Sequence, residues 1–154
     1  MPSRHKSRQR ALQILFLWEA RGQTVDEAID SYYDAIFPEA PAERDPFADE
    51  LVRGAVAHLP DLDALIKKRA EHWRLERMPA VDRNIIRLAI FEMTHVGTPA
   101  AVAIDEALEL ARKFSGDDSV QFVNGVLDAI HRETSPPPEA PAPEAPAPEP
   151  PATE

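Results

Sequence analysis

Basic residues open the chain, in the stretch SRHKSRQRALQILFLW at positions 3–18. Residues 1–10 contain four arginine or lysine side chains and no acid. On a helix these cations surround the first turns, while Leu12, Leu15 and Phe16 turn towards a core. The planar guanidinium of arginine suits bidentate contacts with phosphate and stacking on bases. Cations at a helix N-terminus oppose the helix dipole, so helix stability does not explain them. The residues alone leave nucleic-acid binding and simple solubilisation both open.

The rest of the chain offers little that could catalyse a reaction or hold a cofactor. The five histidines are scattered, without an HExxH motif or an i, i+4 pair, and cysteine is absent, so the sequence supports neither a metal site nor thiol chemistry. None of the five glycines belongs to a GxGxxG or GxxxxGK[ST] loop. Carboxylates such as Asp105, Glu106 and Glu109 are typical of the solvated face of an amphipathic helix. We therefore predict a protein that is not an enzyme and binds no cofactor or metal.

The basic start contrasts with an acidic body. The net charge is −10 over 154 residues, and the four bases of residues 1–10 are balanced by the four glutamates of residues 135–154. The acidity therefore belongs to residues 11–134, which excludes a uniformly basic nucleic-acid binder but not a local basic arm. No apolar run approaches the roughly 18 residues of a membrane span, and no signal-peptide cleavage site follows the basic start. We expect a soluble, cytoplasmic protein without a membrane contact.

Helix signals run through most of the chain, and strand signals are missing. The first predicted helix ends at Gly22, and Thr24 with Glu27 forms a capping box that begins the second. Asp45, followed by Pro46, begins the third. The later segment VDRNIIRLAIFEMTHVG is apolar around so much of its circumference that it is predicted as the central, most buried helix. The pattern predicts an all-α protein of about seven helices with short connections.

Residues 1–134 are predicted to form one helical domain, and residues 135–154 a disordered tail. The tail, SPPPEAPAPEAPAPEPPATE, holds nine of the sixteen prolines and no large apolar side chain. Such a composition favours an extended, solvated segment. The tail is interpreted as a spacer, with a PxxP-type ligand for another protein as the alternative.

Four stretches of the chain resemble the NusB family of transcription antitermination factors. They are RQRALQILFLWE, MPAVDRNIIRLAIFE, AVAIDEALELARKF and DDSVQFVNGVLDAI, and the resemblance spans about residues 3–133. It implies an all-helical fold of two small bundles and a role in binding rather than in catalysis. Members of this family pair with NusE, which is also a small-subunit ribosomal protein. The pair binds boxA RNA and helps to assemble an antitermination complex on RNA polymerase, notably on ribosomal RNA operons.

By position, the resemblance implies RNA contacts at the basic start of the chain. The arginine-rich motif of the family corresponds here to Arg4, His5, Lys6 and Arg8. His5 and Lys6 stand where arginine is usual, and a neutral histidine contributes less than a full charge.

Three further residues are implied to contact RNA. Phe16 stands where the family has an aromatic residue, often tyrosine, and it either stacks on a base or packs in the core. Asp118 and Phe122 correspond to the loop and helix start that line the RNA side in the family. Asp118 is alternatively an N-cap of the last helix, or it serves in both ways.

Other motif residues are interpreted as structural. Arg87 is expected to pair with a carboxylate such as Glu109, inside or near the core. Gly125 is expected in the middle of a helix, where close packing of another helix would justify it. Asp82 and Glu92 serve either the fold or the contact with NusE.

Two other functions are compatible with parts of the sequence. Domains similar to NusB also occur ahead of ribosomal-RNA cytosine methyltransferases. If this chain were such a domain, a methyl-donor-binding domain would follow it instead of the proline-rich tail. A helical interaction or dimerisation module without any RNA contact is the second alternative. Whether the chain is a monomer or a homodimer stays open at this point.

Overall fold

The computed structural model describes residues 3–36, 38–39, 43–70 and 75–134, and the predicted tail lies outside these residues. Within them the chain forms seven α-helices and no strand, which confirms the all-α prediction. The helices are α1 (Arg4–Arg21), α2 (Val25–Ile36), α3 (Pro46–Ala57), α4 (Leu59–Arg69), α5 (Ala80–Phe91), α6 (Ala100–Phe114) and α7 (Asp117–Thr134). A 3₁₀ turn, Leu75–Arg77, precedes α5, and a π-helical turn, Glu92–Val96, follows it. None of the described helices has both the length and the apolarity needed to cross a membrane.

The C-terminal end of α1 and the start of α2 follow the predicted signals. The Ser3 hydroxyl accepts a hydrogen bond from the backbone N–H of Lys6 (3.1 Å) and caps α1. Gly22, with a φ of 64°, ends α1 in the left-handed region that glycine tolerates. Thr24 and Glu27 make the two reciprocal bonds of a capping box (3.0 and 3.1 Å). Local signals therefore decide where α1 begins and ends.

Asp45 caps α3 and also joins the first three helices. Its carboxylate accepts hydrogen bonds from the backbone N–H of Ala48 (3.1 Å) and from the hydroxyl of Ser7 (2.9 Å). The guanidinium of Arg10 donates to it as well (3.3 Å), and the backbone N–H of Asp45 donates to the Tyr33 hydroxyl (2.9 Å). Because Asp45 is only 1% exposed, these bonds fix α1, α2 and α3 against one another as the first bundle.

Helices α4 to α7 form the second bundle, and α5 lies at the centre of the molecule. It contacts α1 and α3 on one side and α4, α6 and α7 on the other. All of residues 84–91 are buried, which confirms α5 as the predicted central helix. At its end, a Cβ placed on Gly54 of α3 would overlap the ring of Phe91. Glycine at that position therefore lets α3 approach α5 closely.

Arg87 forms a buried ion pair, but its predicted partner is wrong. Its guanidinium donates to both carboxylate oxygens of Asp63 on α4 (2.8 and 2.9 Å) and to the side-chain oxygen of Asn84 (2.9 Å). Glu109 instead lies exposed on α6 and pairs with Arg112 (3.1 Å). The reason is that α6 turns a stripe of alanine and leucine towards the core, which leaves Glu109 on the solvent side.

Gly125 lies in the middle of α7 as predicted, but the predicted reason for it is wrong. A Cβ at this position would meet no atom within 4 Å, so no other helix of the chain packs closely against it. Glycine within a helix costs about 1 kcal/mol relative to alanine. Nothing in the packing of the described residues offsets that cost.

Candidate nucleic-acid interface

Helix α1 carries the basic start of the chain and lies alongside α6. His5 Nδ1 is 2.7 Å from a carboxylate oxygen of Glu106. One turn further along α1, the Lys113 ammonium donates to the side-chain oxygen of Gln9 (3.5 Å). Residue numbers rise in the same direction in both contacts, so the two helices run parallel. We call this contact line, from His5 and Glu106 to Gln9 and Lys113, the α1/α6 seam.

Arg4 and Lys6 form an exposed basic arm at the start of the seam. Within the described residues, neither side chain takes part in an ion pair with a carboxylate. The Arg4 guanidinium lies 4.0 Å from the centre of the Phe47 ring, a cation–π contact that holds it over the start of α3. Both charges of the arm are therefore available to a phosphate group.

An open cavity of about 380 Å³ adjoins the basic arm. It is lined by Arg4, Arg8 and Val102, by Val96 at the end of the π-helical turn, and by residues 97–99, which connect that turn to α6. Val102 is 45% exposed, which is unusual for a large apolar side chain in this protein. The cavity thus offers a cationic rim beside an apolar wall.

Arg8 differs from the other residues of the motif because its guanidinium is buried. Its Nε and Nη2 donate to the two carboxylate oxygens of Glu92 (2.6 and 2.8 Å), and Nη1 lies 3.5 Å from Glu106. The hydrogen bond with Glu92 raises the pKa of Arg8, although burial opposes part of that rise. The Thr98 hydroxyl also donates to Glu92 (2.8 Å). From the sequence, Glu92 had two possible roles, in the fold or in the contact with a partner. The structure shows that it serves the fold, because it holds α1 to the π-helical turn.

Phe16 lies on the rim of an apolar groove of about 430 Å³. The groove is lined by residues of α1, α2, α5 and α6: Leu12, Gln13, Phe16, Leu17, Tyr32, Ile36, Val81 and Phe114. Phe16 and Ile36 are 45% and 49% exposed. Phe16 follows Arg4 by twelve residues, which is about 18 Å along α1. The structure therefore separates Phe16 from the basic arm, although both lie on α1.

Asp118 and Phe122 lie one turn apart at the start of α7. The helix begins at Asp117, so Asp118 is inside the first turn and does not occupy the N-cap position. An acid there interacts favourably with the helix dipole. The cavity beside these residues measures about 250 Å³ and is lined by Arg77, Pro79, Asp82, Asp118, Ser119 and Phe122.

Asp82 fixes the start of α7 against α5. Its carboxylate oxygens accept hydrogen bonds from the hydroxyls of Ser115 and Ser119 (2.9 Å each), and the residue is buried. Asp82 therefore serves the fold as well as lining the cavity. Val81, its neighbour in the chain, lines the groove of Phe16. The groove and the α7 cavity are thus adjacent, on either side of the first turn of α5.

Several cations near these cavities were missed by sequence analysis. Within the described residues, the arginines and lysines that pair with no carboxylate are Arg4, Lys6, Arg21, Lys67, Arg77 and Lys113. Lys113 lies on the α1/α6 seam, and Arg77 lines the α7 cavity. No sequence signal distinguishes them, because pairing depends on which distant helix is adjacent. No group of three potential metal ligands occurs among the described residues.

Comparison with known proteins identifies relatives over nearly the whole chain. The model of the NusB family matches residues 5–132. The transcription antitermination protein NusB of Solibacter usitatus is 64% identical over 137 residues, which cover 89% of this chain and 94% of that protein. The protein of the same name from Salinispora arenicola is 46% identical over 131 residues, which cover 84% of this chain and 96% of that protein.

Solved structures share the fold. NusB of T. maritima has a TM-score of 0.76 and 31% identity, over 88% of this chain and 94% of that one. A crystal structure of the antitermination factors NusB and NusE in complex with dsRNA contains a chain with a TM-score of 0.73 and 27% identity. That match covers 84% of this chain and 96% of the other.

Proposed function

Because this chain belongs to the NusB family, we propose that it is a non-catalytic transcription antitermination factor that binds boxA RNA together with NusE. In this role it helps to assemble an antitermination complex on RNA polymerase, notably on ribosomal RNA operons. The observation that carries the proposal is the basic arm, whose Arg4 and Lys6 charges are exposed and unpaired in the described residues. Related support comes from the structural neighbour that contains NusB, NusE and RNA.

The proposed RNA surface begins at the basic arm and follows the α1/α6 seam. At one end, the RNA sugar-phosphate backbone contacts Arg4, His5 and Lys6. At the other end, Phe16 offers a ring on which a base of the RNA stacks. Arg8 contributes to this surface mainly by holding α1 in place, because its Nε and Nη2 already donate to Glu92 and its Nη1 lies 3.5 Å from Glu106.

At the start of α7, Asp118 and Phe122 are proposed to contact the same RNA. The aromatic ring of Phe122 offers a stacking face, and the carboxylate of Asp118 accepts hydrogen bonds from base edges. The adjacency of this cavity to the groove of Phe16 supports one continuous RNA path across the first turn of α5.

The charge distribution limits where RNA binds. Arg4, Lys6 and Lys113 supply three phosphate contacts. The salt slope is the slope of the logarithm of the binding constant against the logarithm of the salt concentration, and each contact with a single strand contributes about −0.7 to it. We therefore expect a slope near −2 from these three residues, with modest affinity for RNA alone. The acidic body, with a net charge of −10 for the chain, repels RNA elsewhere and suits a basic ribosomal partner such as NusE.

Residues 1–134 are proposed to act as one RNA- and protein-binding domain in the cytoplasm, with residues 135–154 as an appended tail. The whole domain is required because the first helix packs against α2, α3 and α5, and its Arg8 pairs with Glu92 after α5 and lies near Glu106 of α6. No step of this role needs a catalytic group or a cofactor.

The proposal is tested by fluorescence anisotropy with a boxA strand and a scrambled strand, with and without NusE, over a salt series. We expect NusE to increase affinity for boxA more than for the scramble. The double variant Arg4→Ala/Lys6→Ala should bind about tenfold more weakly and lower the salt slope by about 1.4. The control Arg53→Ala/Arg132→Ala removes two exposed surface cations and should bind like the parent. Equal binding of both strands, unaffected by NusE, would refute the proposal.

A second candidate function is a homodimerisation module, which the exposed apolar groove favours. Phe16 and Ile36 stand on its rim, and a second copy could cover both across a two-fold axis. Sedimentation equilibrium of the parent and of Ile36→Glu tests this. A dimer that the substitution dissociates supports it, and a monomeric parent excludes it.

A further inference from the structure

We infer that the proline-rich tail of this chain docks in the apolar groove of Phe16, so that the protein carries its own ligand for this surface. The tail is residues 135–154, which lie outside the described residues. A docked tail covers the groove and competes there with RNA. The docking itself involves no RNA, whereas the competition rests on the proposed function.

The groove is an exposed apolar surface that has no cover among the described residues. Three large apolar side chains are exposed in the described parts of the chain, Phe16, Ile36 and Val102, and the first two stand on the rim of the groove. Apart from Gln13, every residue that lines it carries an aliphatic or aromatic side chain. A contiguous exposed apolar surface usually marks a binding site. The ligand for this site is therefore apolar along the face that it buries.

The rings and the polar group of the groove match a proline-rich ligand. Phe16, Tyr32 and Phe114 contribute three aromatic rings, and aromatic-lined grooves recognise PxxP segments in the polyproline II conformation. Such a segment presents carbonyl oxygens but few N–H groups, because proline has none. Gln13 supplies a donor for these carbonyls. Its side-chain oxygen accepts from the Tyr32 hydroxyl (2.8 Å), and its amide nitrogen donates to no described residue.

The tail repeats a motif whose charge is complementary to the surroundings of the groove. PxxP occurs three times, at residues 138–141, 143–146 and 148–151, and each copy contains one glutamate. Lys113 stands beside the groove, with its Nζ 5.6 Å from the centre of the Phe114 ring. Arg21 follows Leu17 by one turn of α1. Neither Lys113 nor Arg21 pairs with a carboxylate of the described residues, so both are available to a glutamate of the docked motif.

The last copy of the motif is far enough along the tail to reach the groove. Phe114 lies three residues before Asp117, where α7 begins, and the tail follows Thr134 at the other end of α7. With its 18 residues, α7 is about 27 Å long. In polyproline II, residues 135–147 span about 40 Å, which is enough to return along α7, whereas residues 135–137 span only about 9 Å. Residues 148–151 are therefore the copy that docks, and residues 138–141 fall short.

A docked tail lowers the apparent affinity for RNA. Phe16 and Lys113 are both proposed to contact RNA, and the docked segment covers the first and neutralises the second. If the groove is covered about three quarters of the time, the apparent affinity for RNA falls about fourfold. The tail thus acts as a built-in competitor, which a tightly bound RNA displaces.

The test follows a nitroxide label on the tail by NMR spectroscopy of the full chain. The chain has no cysteine, so Thr153→Cys creates one labelling site, two residues after the last motif. A docked tail should broaden the backbone amide signals of Leu17, Ile36 and Phe114 at the groove. The matched control places the label beside the first motif, in Ala140→Cys, and should broaden signals at the end of α7 instead.

Variants of the groove and of the tail show whether the contact is specific. Ile36→Glu places a carboxylate on the rim, where it repels the acidic tail, and should remove most of the broadening. The control Val102→Glu changes a similarly exposed apolar residue (45% against 49%) outside the groove and should keep the broadening. The triple variant Pro148→Ala/Pro150→Ala/Pro151→Ala changes no described residue and should also remove most of it.

A second arm measures the affinity of the full chain for a boxA strand by fluorescence anisotropy at low salt. The triple variant at residues 148, 150 and 151 should bind about fourfold more tightly than the parent, because it leaves the groove open. The matched control replaces the three consecutive prolines at residues 136–138 with alanine and should bind like the parent.

The outcomes separate this inference from the proposed function. Absence of broadening at the groove in the parent overturns the docking, whatever the second arm gives. Broadening on an isotope-enriched chain that is mixed with a separate labelled chain means that a second copy holds the tail, which overturns docking within one chain. Broadening at the groove with the same RNA affinity in the triple variant overturns the competition. Absence of RNA binding by every form refutes the proposed function and leaves the docking to be decided by the label.

Discussion

Replacing Arg8 with alanine is expected to destabilise the protein more than any other change in the basic motif. The side chains of Arg8 and Glu92 are 7% and 3% exposed and are joined by hydrogen bonds of 2.6 and 2.8 Å. Without Arg8, the buried Glu92 carboxylate keeps the Thr98 hydroxyl as its side-chain donor. Breaking a buried pair in this way costs about 3–5 kcal/mol. For a domain of this size, roughly 3–4 °C of melting temperature corresponds to each kcal/mol, so the midpoint should fall by roughly 9–20 °C.

The effect should not depend on pH over the ordinary range. The pKa of Arg8 is raised above that of an ordinary guanidinium, chiefly by the hydrogen bond with Glu92. Because the pKa of Arg8 is higher in the folded than in the unfolded chain, the stabilisation is fully present at any pH below the pKa of the unfolded chain. It is lost only as pH rises through the pKa of the folded chain. Thermal unfolding followed by circular dichroism at two pH values below this range should therefore give the same difference between variant and parent.

Two comparisons make this prediction decisive. Arg4→Ala removes an exposed cation–π contact worth about 0.5–1 kcal/mol, so its midpoint should fall by only roughly 2–4 °C. Arg8→Met combined with Glu92→Leu removes both charges and should recover most of the lost stability. The reasoning is refuted if Arg8→Ala melts within about 2 °C of the parent while its RNA affinity falls about tenfold. Arg8 would then act directly on RNA.

Four further predictions concern the fold. Gly54→Ala should destabilise the protein by about 1–3 kcal/mol, because its Cβ would overlap a phenylalanine ring. Gly125→Ala should stabilise the protein by up to about 1 kcal/mol, because a Cβ at this position would meet no atom within 4 Å. Urea unfolding measures the free energy of unfolding of both glycine variants, and changes of the same sign would contradict the packing described. Burial raises the pKa of Tyr33 to about 12 and also raises that of Tyr32 above its usual 10.0. As pH rises, the unfolded chain loses the phenolic protons of these tyrosines before the folded chain does. The free energy of unfolding should therefore fall between about pH 10 and pH 12, and it should fall less in Tyr33→Phe. If the tyrosinate absorbance of the folded parent is already complete near pH 10, this prediction is wrong. Asp45→Ala should cost at least about 2 kcal/mol because it removes a helix cap and buried bonds. Asp45→Asn keeps a cap acceptor and should cost less, and equal melting of the two variants would argue against the cap.

Helix positions could be predicted from the sequence because short-range interactions decide them. The capping box of Thr24 and Glu27 needs only four consecutive residues, and the left-handed end of α1 needs only Gly22. The central position of α5 followed from apolar residues around much of its circumference. The family resemblance then supplied the arrangement of helices that local patterns do not determine.

Side-chain partners could not be predicted, because they depend on how distant helices are rotated against each other. Arg87 finds Asp63 on α4 and not Glu109, since α6 turns the latter to solvent. The basic motif reads as one uniform patch in sequence, yet the structure exposes Arg4 and buries Arg8 four residues later. That spacing would normally keep two side chains on one helix face. The difference arises because Glu92, which is 84 residues from Arg8 in the sequence, bonds to Arg8 and not to Arg4.

The pairing of Arg8 with Glu92 also has a consequence for the order of events during synthesis. Helix α1 is synthesised before the other described helices, but the carboxylate partners of its Arg8 belong to the turn after α5 and to α6. While those segments are still being made, Arg8 is an unneutralised cation on a nascent chain, and α1 has only α2 and α3 to pack against. Long-range contacts of this kind delay folding until late segments are available. The start of the helix that we propose to meet RNA can thus be fixed in place only after α5, α6 and the turn between them have been made.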